Sequence, residues 1–389
     1  MNPHDPLSRR CFIRTAAAGL AAATFSRHAA GYDLPLPASP VAIARCRRYD
    51  YDQVKSTLAA LFLELGGITQ LVQGKTVTVK VNLTGGWNAT VYTLSPVETV
   101  YTHPTVVLAA CSLFYEYGAR RIVICESLYS QQETKAAYRG CGYDTALFES
   151  TVPIIQWENT RNVGTGGTYK ALNTGISPYL YSGFQFNRRY VDTDVMVSIP
   201  KMKNHQIAGI TLALKNLFGV TPSALYSSDR QDENATSART SVLHEGGLSA
   251  AGGEVMPILS KDPGFRVPRA VVDIVRARPI DLAIIDGIVA MHGGEGAWHS
   301  TRLGVTVPGL LIAGKNAVCV DAVGAAVMGY DPEALRGASP FHNGDNTLRL
   351  AAERGLGTIK LNEIDVLGVG IPLARCAFQP TYRESPTGN

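Results

Sequence analysis

Apolar runs that switch between two periods constrain this chain more than any other feature. "TVTVKVNL" (76–83) reads as a buried strand, and "HPTVVLAACSLFYEYGA" (103–119) as a helix with Pro104 in its first turn. "RIVICES" (121–127) reads as the next buried strand. Upstream, "VAIARC" is a strand, and "VKSTLAALFLEL" is an amphipathic helix ended by Gly66 and Gly67. Downstream come "VMVSIP", a helix through Lys215, then "LAIIDGI", "GLLIAGK" and the helix "AVCVDAVGAAVMGY". Such alternation predicts an α/β fold of mostly parallel sheets with helices on both faces. One body, or two lobes around a cleft, both satisfy the pattern. The α/β domain is placed at 41–370, with a C-terminal tail at 371–389.

The N-terminus follows different rules. Arg9 and Arg10 precede a short, weakly apolar stretch from Thr15 to Phe25 and small residues around Ala30. This predicts a twin-arginine export signal over 1–30, then a Pro-rich linker at 31–40. The apolar run is too short to span a bilayer, so no stable membrane span is expected after cleavage. The expected location is periplasmic or secreted, with the twin-arginine translocase a partner during export. A net charge of +4, with no basic run beyond the leader, argues against a nucleic-acid partner. The stretch 222–266 is rich in Ser, Asp, Asn, Gly and Thr and has little periodicity. It reads as a polar insertion, either a lid hinged at Gly246 and Gly247 or a disordered segment.

Ligands of open α/β sheets bind beyond the carboxyl ends of the strands. Four strand ends here carry polar groups. They are Lys80 with Asn82; Glu126 with Ser127; Lys201, Lys203, Asn204 and His205; and Asp286, followed by His292 and Glu295. Lys201 and Lys203 share one face of an extended segment. Thr211 and Lys215 are four apart on a helix expected to start near Gly209 or Ile210, with Asn216 beside Lys215. Its free N–H groups would point to the same region. Several cations at one edge predict a site for a small anionic ligand. The alternative is structural: polar residues surface at strand ends, and the lysines tie those ends to carboxylates such as Asp286 and Asp321.

No HxxxH or HExxH spacing occurs among the histidines, which excludes a structural zinc site of that kind. A site of His292, Glu295 and His244, or of a histidine with Glu126, keeps a metal open. Of seven cysteines, Cys11 lies in the leader, and none of the rest forms a CxxC pair, so no iron–sulfur cluster is expected. Cys111, Cys125 and Cys319 sit in apolar runs and read as buried thiols. "GTGGT" (164–168) is glycine-rich but lacks the strand–loop–helix setting of a nucleotide loop.

From Val41 to Gly370 the chain resembles the domain-of-unknown-function family 362. The resemblance rests on "VKVNL", "HPTVV", "IPKMKNH", "TLALKNLFG", "IIDGIVAMHGGEG" and "VCVDAVGAAVMGYDP". His292 stands where that family typically has Glu. More distantly, "IPKMKNHQIAGITLALKNLFG" resembles a segment of the lactate racemase family, sharing the ten-residue interval from His205 to Lys215. That second resemblance implies a proton-moving His205 and a Lys215 that anchors a nickel-pincer cofactor or an anionic substrate.

The expected function is an enzyme acting on a carboxylate-bearing substrate by proton transfer, such as racemisation, epimerisation or elimination. His205, Lys215 and Lys203 would be catalytic, with the pKa of His205 lowered by nearby cations. Lys201, Lys80, Asn82, Asn216, Glu126 and Thr211 would bind substrate. The alternative is a periplasmic ligand-binding or cofactor-carrying protein without turnover.

Overall fold

Parallel strands enclosed between helical layers are covered on both faces, whatever their pattern. In the computed structural model β2 (Thr76–Val81) and β7 (Val195–Ile199) are buried at every position. They pair in parallel at the centre of an 11-stranded sheet. The remaining path strands are β1 (Val41–Arg45), β3 (Arg121–Glu126), β4 (Ile155–Asn159), β10 (Leu282–His292), β12 (Leu310–Gly314) and β13 (Val366–Gly368). Their order is β13-β1-β12-β10-β7-β2-β3-β4. β8 (Lys201–His205), β9 (Gly209–Thr211) and β11 (Gly304–Thr306) branch from β10, while β5 (Tyr169–Asn173) and β6 (Gly183–Asn187) form a separate ribbon.

The structure describes residues 36–84, 90–91, 93–128, 130, 132–161, 168–227, 239–247, 251–255, 260–296 and 303–379. The export signal, the glycines of "GTGGT", His299, parts of the 222–266 insertion and the end of the tail lie outside them. Residues Ala38–Asn389 form one unit; of the other, Met1–Pro37, only 36 and 37 are described. Among the described residues, no helix is long and apolar enough to cross a membrane.

Helices cover the sheet as the alternation requires. Tyr51–Glu64 is capped by Asp50, and Pro104–Glu116 by the imidazole of His103, which accepts from the Thr105 amide. Their apolar sides join Val77, Val79, Val81, Ile122 and Ile124 in the main core. On the alternate residues of the sheet, the helix Ala317–Val327 packs so closely that a Cβ at Gly324 would lie 2.9 Å from Leu212 and 3.0 Å from Ile285. Cys111, Cys125 and Cys319 are buried, as their apolar surroundings imply.

One strand departs from the expected direction. β12, the "GLLIAGK" run, is antiparallel to both β1 and β10. A parallel neighbour needs a crossover of a dozen or more residues, usually a helix. Here β11 folds back on β10 directly, pairing His292 with Gly304, and β12 follows three residues later. The chain therefore returns alongside β10 rather than crossing the sheet.

Candidate functional site

β2 and β7 deliver Lys80 and Ser198 to one level of the sheet, where they are paired in register. Lys80 is 1% exposed, and its ammonium lies 2.8 Å from Glu126 Oε1 at the end of β3. It also donates to Val81 O at 2.7 Å and Asn216 Oδ1 at 3.3 Å. Asn216 in turn donates to Lys80 O and Ser198 Oγ, which locks the Lys215–Asn216 step onto the sheet. Glu126 is filled by the amides of Leu83 and Ser127 besides Lys80. Burial pulls the Lys80 pKa down, and Glu126 pushes it back.

The segment after β7 forms a hairpin, not the helix start expected near Gly209. β8 and β9 pair antiparallel, with Lys203 opposite Thr211 and His205 opposite Gly209. Gly209 has φ +77°, and a Cβ there would sit 2.6 Å from Phe341, so both conformation and space require glycine. The helix begins only at Ala213 and is four residues long. Its first amides, Ala213 and Leu214, each donate to the Asp321 carboxylate at 2.8 Å. They are thus satisfied internally instead of facing a ligand, and Asp321 serves these amides rather than a lysine. Burial pushes Asp321 up to about 7.

His205 has both ring nitrogens engaged. Nδ1 accepts from the amides of Ile207 and Ala208 at 3.1 Å, and Nε2 meets Glu295 Oε2 at 2.7 Å. Its pKa is lowered to about 4, chiefly by burial; Lys215 and Lys203 add to the fall, while Glu295 opposes it. The ring is therefore neutral at pH 7, with its proton on Nε2 toward Glu295. The general acid/base role expected of His205 is corrected on this geometry: no lone pair is left to accept a proton. It braces a turn and aims Glu295.

The four lysines differ in their partners. Lys201 is fully buried and donates to Asp286 at 2.8 Å, to Tyr49 OH at 2.7 Å and to Glu98 O and Val289 O. Expected on the binding wall, it is instead saturated by protein, as the structural alternative proposed for it. Lys203 donates to two carbonyls, Val100 O at 3.2 Å and Glu295 O at 3.0 Å. Burial, with help from Lys215 and Lys201, lowers it to about 7. Lys215 has no hydrogen-bond acceptor among the described residues; its ammonium lies 4.5 Å from the centre of the Phe218 ring. Its pKa falls to about 8, through burial and the charges of Arg239 and Lys80 against Glu295. Two more expected wall atoms, Asn82 Oδ1 and Thr211 Oγ1, are buried with no hydrogen-bond partner among the described residues.

The residues suggested as metal ligands do not converge. Glu295 is with His205, while His244 packs edge-on to Phe218 with ring centres 5.5 Å apart. His292 lies against Gly304, where a Cβ would be 2.0 Å from its Cε1, and near Phe378. Among the described residues, no group of three or more His, Cys, Asp or Glu side chains could hold a metal ion. A pincer-bound metal at Lys215 would need a histidine donor: both nitrogens of His205 are engaged, and His244 is the imidazole that packs on the Phe218 ring beneath Lys215.

Arg239, from the polar insertion, was not anticipated. It is 6% exposed and reaches Thr221 O, Gly219 O at 3.4 Å and Ser127 Oγ at 2.5 Å. A sequence signal existed: Val242 and Leu243 follow it in an otherwise polar stretch, and both are buried.

The neutral His205 makes acid stability a direct check. The unfolded ring titrates near 6.5, so as pH falls from 6.5 to 4 the unfolded chain takes up a proton that the folded one refuses. Stability from this group is complete above 6.5 and shrinks by up to about 3 kcal/mol by pH 4. Asp321, raised in the fold, contributes the opposite slope in the same window. The measurement is therefore the difference in urea unfolding free energy between wild type and His205→Gln, which should narrow as pH falls. A difference that widens as pH falls would mean that His205 is charged in the fold.

Comparison with known proteins adds a family and distant likenesses. The family described as Domain of unknown function (DUF362) matches residues 77–326. The chain is 24% identical over 296 residues to the Thylakoid-associated protein sll1697 of Synechocystis sp., covering 76% of each. It is similar at a TM-score of 0.36 and 11% identity to the lactate racemase apoprotein of Thermoanaerobacterium thermosaccharolyticum, across 71% of this chain and 56% of that one. A Thermotoga maritima protein gives 0.35 and 13%, across 70% and 57%. The chain spans little more than half of either solved structure, at scores that carry no argument about the site.

Proposed function

The chain belongs to the DUF362 family, and from that premise and its lysine cluster we propose an enzyme that moves a proton at the carbon next to a carboxylate. The observation that carries this reading is the contrast between two neighbouring lysines, Lys203 buried and Lys215 half-buried. Lys215 is a cation with no acceptor among the described residues, and Lys203, near 7, is held by two carbonyls. Neighbouring titratable groups with different environments are how one site supplies both a charge and a base.

Lys215 takes the substrate carboxylate. Neutral Lys203 keeps its two N–H donations to Val100 O and Glu295 O, which leaves its lone pair to take the α-proton. The electrons of the broken C–H bond move into the carboxylate, forming an enediolate whose added charge Lys215 stabilises. Return of the proton to the same or the other face gives exchange, racemisation or epimerisation; loss of a β-substituent gives elimination. His205 and Glu295 hold the backbone carbonyl on which Lys203 rests. Asn82 Oδ1 and Thr211 Oγ1, unpartnered among the described residues, offer hydrogen bonds to substrate hydroxyl or amino groups.

The export reading belongs to the same proposal, with the small anion as ligand and the twin-arginine translocase as transient partner. The protein for testing is therefore taken from the periplasm of an exporting host, where intact mass should place its start after Ala30. In D2O, a panel of small hydroxy, amino and unsubstituted carboxylic acids is followed by NMR. At least one should exchange its α-proton and raise the unfolding temperature, and Lys215→Met should remove both effects. Stabilisation without exchange would favour a binding protein, a reading to which the 1% exposure of Lys203 lends weight. Neither effect in any acid would end the anion-site reading.

A further inference from the structure

A buried guanidinium is ordinarily paired with a carboxylate, because an uncompensated buried charge is costly. Among the described residues Arg239 departs from that rule: its three acceptors there are two backbone carbonyls and a serine hydroxyl. Glu126, next in sequence to that serine, is already filled by Lys80 and two amides. Nη1 of Arg239 makes no hydrogen bond to a described residue.

Arg239 and Lys215 meet on the same four-residue 3-10 turn, Leu217–Val220. The Phe218 ring of that turn lies under Lys215, and the Gly219 carbonyl accepts from Arg239. Gly219 packs tightly under the Lys80–Glu126 pair: a Cβ there would be 3.1 Å from Lys80 Nζ. The turn thus presents two cations, neither with a carboxylate among the described residues. One comes from the sheet edge and the other from the insertion.

We propose that Arg239 holds a second anionic group of the substrate, so that the preferred ligand is a small dicarboxylate divided between Lys215 and Arg239. This rests on the anion-site reading and adds substrate class to it. With Nε and both N–H groups of Nη2 engaged, the N–H groups of Nη1 are the donors left for a carboxylate, and the guanidinium keeps its charge at any working pH. Carried by the insertion, Arg239 also gives that segment a role: it brings the second recognition group to the sheet edge.

The test compares succinate, butyrate and inorganic phosphate by calorimetry on the intact protein. Succinate should bind wild type on the order of tenfold or more tightly than butyrate. Arg239→Gln, which keeps an N–H donor for Thr221 O or Gly219 O, should erase that preference while leaving butyrate binding and the thermal transition in place. Arg239→Lys should recover part of it. Equal binding of the two acids by wild type, or an unchanged preference in Arg239→Gln, would overturn the inference and leave the single-anion site standing. Phosphate tighter than succinate would also overturn it, pointing to a phosphorylated acid. Failure of all three to bind would count against the anion site itself.

Discussion

Replacing Lys201 by methionine should cost about 3–5 kcal/mol of folding stability, whether or not ligand is present. The lysine and Asp286 are both fully buried, 2.8 Å apart. Asp286 would keep the Tyr49 hydroxyl at 3.0 Å and the His103 amide at 2.9 Å, but its charge would be uncompensated. Breaking one side of such a pair is far costlier than replacing both, because the remaining ion stays desolvated. A Lys201→Met, Asp286→Asn double variant should therefore recover much of the loss. Urea unfolding of the three proteins checks this, with and without the acid that stabilises wild type best. An unchanged midpoint in Lys201→Met, or a loss seen only with ligand, would return Lys201 to the binding wall.

The same pair shows what was legible in the sequence. Runs such as "TVTVKV" and "VMVSI" announce strands, and the helices between them imply parallel neighbours covered on both faces. Those inferences need only local pattern, and β2, β3, β4 and β7 follow them. β12 does not, because its direction depends on whether the preceding connection crosses the sheet, which its own residues do not encode. The start of the Lys215 helix was misplaced for a similar reason. Gly209 suits a tight hairpin as well as a helix entry, and the choice is made by Phe341 and Asp321, more than a hundred residues away.

In the site, sequence placed the right residue types at one sheet edge but could not rank them. Lys201 and Lys203 are two residues apart on one strand face. One is saturated by Asp286 and Tyr49, and the other finds only two carbonyls. That difference is set by partners from three other parts of the chain. His205 looked like the general base because imidazole is the usual one near pH 7. Its two backbone donors arise from a turn conformation that composition does not reveal. Arg239 was hidden by its polar setting, where an exposed arginine is the ordinary expectation.

Lys203→Arg should abolish turnover while keeping a positive charge at the same strand position. A guanidinium stays protonated at any working pH, so it can hold an anion but cannot take a proton from carbon. If Lys203 is the base, the loss should be about 10²- to 10⁴-fold in α-proton exchange. Succinate binding should survive, since Lys215 and Arg239 are untouched. The pH profile gives the sign independently. With Lys203 near 7 and Lys215 near 8, the neutral base grows as pH rises through 7 and the anchoring cation is lost above about 8, so wild-type exchange should climb through 7 and then fall. Were Lys203 needed as a cation, the profile would fall over the same range and the arginine variant would stay active. A climbing profile with an inactive but ligand-binding Lys203→Arg would separate base catalysis from charge stabilisation at this edge of the sheet.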